Sequence, residues 1–91
     1  MHVQLQVADD VLFQTVADEA VLLNISDSHY YGLDDVATRM WQLLVEHGEV
    51  DAVIRQMLAE YEIDEATLRH DFAALVAEME QRGLIKRAAG Q

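Results

Sequence analysis

At 91 residues the chain has room for one small domain with one core, and its 52% hydrophobic share contains no apolar run of membrane-spanning length. It has no cysteine, which excludes disulfides and thiolate chemistry, and its start, Met1-His2-Val3-Gln4-Leu5-Gln6-Val7, lacks the basic and apolar regions of a signal peptide, so a cytoplasmic protein is expected. Seventeen acidic against 6 basic side chains give a formal charge of −11, which repels nucleic acid and anionic membranes and favours a basic or mainly apolar partner.

Val3 to Val7 alternates apolar and polar residues and reads as a possible edge strand. Ala8-Asp9-Asp10 breaks it. Val11–Val16 is the next strand, Ala17-Asp18-Glu19 a polar turn, and Ala20–Ile25 a further strand with Val21, Leu23 and Ile25 opposite Ala20, Leu22 and Asn24. Ser26-Asp27-Ser28 has turn chemistry, because short polar side chains bond to nearby backbone. His29–Leu33 then completes an antiparallel meander with connections of hairpin length.

From Asp34 the period changes from strand to helix. Asp34 stands where an N-cap belongs, Asp35 suits the positive end of the dipole, and Val36, Met40, Trp41 (or Leu43) and Leu44 follow at helical spacing. The single Trp is expected in the core where sheet and helix meet. His47 and Gly48 end this helix. A second helix covers about Val50–Glu60, on Val50, Val53, Ile54, Met57, Leu58 and Tyr61. Ile63 anchors the connection. Asp64 caps a third helix, about Glu65 to Arg82, which stops at Gly83 and carries a stripe of Leu68, Phe72, Leu75, Val76 and Met79. Leu84 and Ile85 are expected to fold back on the core. The fold class is α+β: one domain, three strands in an antiparallel sheet followed by three helices on one of its faces.

No catalytic pattern emerges. His2, His29, His47 and His70 are far apart, with no second histidine at metal-ligand spacing. Ser26 and Ser28 lie in a turn without a nucleophile motif, and Gly32, Gly48, Gly83 and Gly90 form no phosphate-cradling loop. Among so many carboxylates, Asp34-Asp35 and Glu78-Glu80 fit a helix cap and a solvated helix face. Arg82, Lys86 and Arg87 follow a helix C-terminus, where the dipole favours cations. No catalytic residue, metal or cofactor is therefore expected. Two features stand out. The strand His29–Leu33 is last in the meander, so it lies at a sheet edge, and it has no proline and only His29 as a chargeable guard. Such an edge can accept an extended peptide as an added strand. The stripe of the third helix is broad for so small a core, and part of it could wall a groove beside that edge.

The stretch AVLLNISDSHYYGLDDVATRMWQLL resembles the central signature of PqqD-like proteins: an apolar strand, a polar turn, an aromatic strand ending in Leu-Asp and a helix with a Trp. GEVDAVIRQMLAEYEIDEATLRHDFAALVAEMEQRGLI is similar to the family's second half, and the resemblance covers about residues 11–87. It implies a winged helix-turn-helix-like domain, a recognition element that binds the leader of a ribosomally made precursor peptide and brings it to modifying enzymes without being an enzyme. By the resemblance the leader pairs with His29, Tyr30, Tyr31, Gly32 and Leu33. It lies against Leu68, Asp71, Phe72, Leu75, Val76 and Met79, with Arg69 at the rim. The small acidic free-standing chain looks most like the recognition proteins of lasso peptide pathways, which work beside a leader peptidase and an ATP-dependent cyclase. PqqD proper, in pyrroloquinoline quinone biosynthesis, is the alternative.

Two other classes fare worse. A winged-helix DNA reader wants arginine and lysine on its recognition helix, whereas the third helix offers Arg69 and Arg82 against Glu65, Asp71, Glu78 and Glu80. A small hydrolase lacks a nucleophile or metal constellation.

Overall fold

The computed structural model describes residues 4–87. Its elements are β1 (Leu5–Val7), β2 (Val11–Val16), β3 (Glu19–Asn24), β4 (His29–Leu33), α1 (Asp35–His47), α2 (Val50–Glu60), α3 (Glu65–Gln81) and β5 (Ile85–Arg87). β2, β3 and β4 form an antiparallel sheet in that order, with Leu12 opposite Leu23, and Leu23 opposite Tyr30. The three helices follow, which is the expected α+β, winged helix-turn-helix-like order.

Local chemistry starts and stops the helices. Asp34 accepts from the Ala37 amide at 2.8 Å, and Asp64 accepts from the Thr67 amide at 3.0 Å. Gly48 closes α1 at φ 72°, and the left-handed Gly83 at φ 74° follows α3. Arg39 of α1 grips Glu60 of α2 through both carboxylate oxygens, at 2.7 and 2.6 Å.

The inward face of the sheet is Ala20, Leu22 and Asn24 of β3, with Val11 beside it; α1 packs there. Trp41 is fully buried, as expected, and meets the Phe13 ring edge-on at 5.4 Å. Two polar residues inside this layer hold it in register. Thr38 Oγ1 accepts from the Ala20 amide at 2.8 Å and donates to the Leu33 carbonyl at 3.2 Å. Asn24 Nδ2 donates to the Arg82 carbonyl at 3.0 Å, and Asn24 Oδ1 accepts from the Ser26 amide.

The N-terminal strand differs from its expectation. Val3 lies outside the described residues, and Leu5–Val7 does not join the main sheet: it pairs antiparallel with β5 in a separate ribbon. Leu84 and Ile85 do fold back and are buried, and from Ile85 the chain continues as β5, because the Gly83 turn aims it alongside β1.

Candidate functional site

Among the described residues β4 is hydrogen-bonded on one side only, to β3. The direction of its free groups follows from pairing parity. The Ile25 amide bonds to the Asp10 carbonyl, so Ile25, Leu23 and Val21 turn their backbone groups toward β2. Ala20, Leu22 and Asn24 turn theirs toward β4, where they oppose Leu33, Tyr31 and His29. Tyr30 and Gly32 therefore present N–H and C=O to the open edge. A Cβ built on Gly32 meets nothing within 4 Å, so the sheet face over Gly32 is open.

Facing that edge is α3. Between them runs a cleft of about 300 Å³, with Tyr30 to Leu33 on one side and Leu75, Glu78, Met79 and Arg82 on the other. A second hollow of about 320 Å³ shares Leu75 and Glu78 and continues the trough toward the start of α1, over Val36, Ala37 and Met40, past Asp34 and Asp71. The trough mixes apolar side chains with the carboxylates of Asp34, Asp71 and Glu78 and the guanidinium of Arg82. Arg82 sits 4.8 Å from the Tyr31 ring centroid and pairs with Glu78 at 3.1 Å. The Tyr31 side chain, and after it Glu78, hold this guanidinium above its ordinary pKa.

The expected site residues divide in four. Tyr30, Tyr31, Gly32, Leu33, Leu75 and Met79 come together in the cleft, and Asp71 lines its continuation. His29, at the start of β4, is exposed and has Nδ1 3.3 Å from Asp27 Oδ2. Leu68, Phe72 and Val76 are core residues, at most 6% exposed. Arg69 stands on the opposite flank of α3, bonded to Glu65 and Asp51, beside a separate hollow of about 290 Å³ that Phe72 and Val76 also line. Residues of the trough that the sequence reading did not assign to the site are Arg82 and Glu78, Val36 and Met40, and Leu84. Helical spacing carries the missed signal: Glu78 and Arg82 lie three and seven positions after Leu75, on its face of the helix.

Among the described residues no group of three or more His, Cys, Asp or Glu could hold a metal ion, and no helix is long and apolar enough to cross a membrane. Arg69 and Arg82, the two arginines at and beside α3, are both engaged by carboxylates.

Residues 19–85 match the family model of coenzyme PQQ synthesis protein D, PqqD. The solved structure of TbiB1 in complex with the TbiA(beta) leader peptide superposes with a TM-score of 0.87 at 29% identity, over 93% of this chain and 99% of that one. A lasso peptide synthetase B1 complexed with the leader peptide superposes with a TM-score of 0.82 over 91% and 98%, and at 23% identity it speaks for the fold alone. No curated protein sequence matches the chain.

Proposed function

The chain belongs to the PqqD family, and on that premise we propose that it binds the leader of a ribosomally synthesised precursor peptide, a lasso peptide precursor, in the cytoplasm. It does so without catalysis, and it presents the bound precursor to a leader peptidase and an ATP-dependent cyclase. The leader adds a strand to β4 and packs against α3. One observation carries this reading: the backbone groups of β4 left free by the sheet among the described residues, those of Tyr30 and Gly32, border a cleft walled by Leu75 and Met79, with Glu78 and Arg82 beside them. The 29% identical TbiB1, which holds a leader peptide, supports it.

Energetics assign separate roles to strand and cleft. A net hydrogen bond contributes about 0.5–1.5 kcal/mol, and ordering a flexible peptide opposes it. The few bonds that two residues offer give weak and unselective binding. Selectivity then comes from apolar leader side chains in the cleft, at roughly 1.5–3 kcal/mol each when fully buried. Asp34 and Asp71 favour a basic leader residue nearby, chiefly through association rate.

The test is fluorescence anisotropy with a labelled leader peptide. Gly32→Pro removes a donor from the open edge, and Leu75→Asp puts a charge on the cleft wall. Each should weaken binding at least tenfold, about 1.4 kcal/mol, in variants whose circular dichroism matches the parent. Parental affinity in both folded variants would remove the site from this cleft. The family model itself favours a second reading, service to pyrroloquinoline quinone synthesis. Tighter binding of a quinone-pathway precursor than of lasso leaders would decide for it.

A further inference from the structure

Charge along the trough has an order. Among the described residues that line it, Arg82 is the one lysine or arginine. Two contacts place it at the end where β4 begins. Asn24, opposite His29 in the β3–β4 register, donates to the Arg82 carbonyl at 3.0 Å, and the guanidinium lies 4.8 Å from the Tyr31 ring centroid. At the other end, where β4 runs into α1, stand Asp34 and Asp71. α3 therefore passes the open edge in the direction opposite to β4, with Asp71 beside the end of the strand and Arg82 beside its start. From Asp71 to Arg82 a helix rises roughly 16 Å, the reach of about five residues of extended peptide.

Arg82 has donors to spare. Glu78 meets its Nε at 3.2 Å and a terminal nitrogen at 3.1 Å through one oxygen, Oε2. A guanidinium carries five N–H groups in a planar fork, so it accommodates a second carboxylate beside the first. Its side chain is 45% exposed. Asn24 holds the backbone, while Tyr31 and Glu78 hold the head, so the fork is positioned before a peptide arrives.

The total charge of −11 attracts any basic peptide and repels any acidic one, whatever the order of its residues. It governs encounter and does not select. A peptide paired along β4 meets a different local field at each end. An acidic side chain is drawn to Arg82 and repelled by Asp34 and Asp71; a basic one is placed the other way round. A leader that reads base before acid then fits antiparallel to β4, and one that reads acid before base fits parallel.

We propose that Arg82 is a specificity determinant of the trough: it receives a leader carboxylate at the start of β4, while Asp34 and Asp71 receive a leader cation about five residues away, so the trough reads the order of charge along the leader. The proposal rests on the leader-binding reading, and its test lets the two fail separately. The probes are the labelled leader of the pathway's own precursor and peptides in which one acidic and one basic residue about five positions apart trade places. The trade keeps composition and net charge. Arg82→Glu/Asp71→Arg likewise keeps the chain at −11 and reverses the order in the trough. Binding is read by fluorescence anisotropy, with circular dichroism and the urea midpoint of each variant alongside. Exposed ion pairs are individually weak, so the readout is the preference between peptides across all combinations. One exchanged leader should bind the parent chain at least fivefold more weakly than the natural leader. The double variant should invert that preference, whereas a merely damaged cleft would weaken both peptides alike. Arg82→Gln/Asp71→Asn also leaves the net charge unchanged; it should bind the two within twofold, and it decides the matter if the reversed variant does not fold. A leader without such an acid–base pair, a parent chain that treats every exchanged leader as the natural one, or a preference that survives both double variants would overturn the proposal and leave leader binding standing. Absence of leader binding by the parent chain would instead sink the reading beneath it.

Discussion

Thr38→Val tests the joint that sets the position of β4. The two side chains have nearly the same shape, so the substitution removes a hydroxyl and opens no cavity. That hydroxyl accepts from the Ala20 amide and donates to the Leu33 carbonyl at the end of the β3–β4 pair. Ala20 is 0% exposed and Thr38 2%, so water does not replace the lost partner. Leaving one buried amide unsatisfied costs about 1–3 kcal/mol. For a domain of this size a loss of 1 kcal/mol lowers Tm by roughly 4–8 °C. Urea unfolding should show a lower midpoint at unchanged slope, and hydrogen exchange should show the Ala20 amide deprotected. Thr38→Ser keeps the hydroxyl and loses a buried methyl, so its stability falls by about 0.8 kcal/mol while the Ala20 amide stays protected. Leader affinity should fall in the Val variant, since Leu33 lines the cleft and adjoins Gly32, whose backbone groups the leader pairs with. The reasoning fails if the Val variant unfolds with the parent and its Ala20 amide exchanges at the parental rate.

Glu60 gives a prediction in pH. Its hydrogen bonds to Arg39 hold its carboxyl down to about 2 from the ordinary 4.5, so the stabilisation is complete above 4.5 and lost as pH falls from there toward 2. Glu60→Gln should flatten the stability profile in that window and leave it unchanged in shape near neutrality; an identical acid limb in both proteins would contradict the assignment. Gly48→Ala should destabilise by about 1–2 kcal/mol, because a side chain at φ 72° is strained and its Cβ stands 3.3 Å from the Leu5 carbonyl oxygen; urea unfolding at the parental midpoint would count against it. Random duplex DNA should not bind at physiological salt, given the carboxylates on Arg69 and Arg82. Submicromolar, salt-sensitive binding in a gel-shift titration would argue for a nucleic-acid function.

Periodicity made the elements legible because strand and helix repeats differ and aspartate caps mark where helices begin. The faces of β3 were less legible. Val21, Leu23 and Ile25 are the bulkier apolar set, yet Ala20, Leu22 and Asn24 are buried. The inward set is chosen by Thr38 and by the Arg82 carbonyl, partners 18 and 58 residues away along the chain, which alternation does not sense. The pairing of β1 with β5 has the same character, since three-residue strands show too little pattern to name a partner. In the trough, Leu75 and Met79 were legible from spacing. Arg69 and Asp71 were grouped together, but residues two apart on a helix face different ways, and the structure sends them to opposite flanks of α3.

The ribbon of β1 and β5 has a consequence for modularity. It closes the polypeptide on itself: Leu5 pairs with Arg87, and the Leu5 amide also bonds the Gly48 carbonyl. Both strands thus leave the domain at a common corner, on the flank of α3 that carries Phe72 and Val76 and away from the open edge of β4. A covalent tether joined before β1 or after β5 emerges on the far side from the trough. The unit is therefore suited to being spliced at either end to a larger polypeptide, or cyclically reordered by joining those two strands and cutting at an exposed turn such as Ala17-Asp18, with the trough unobstructed.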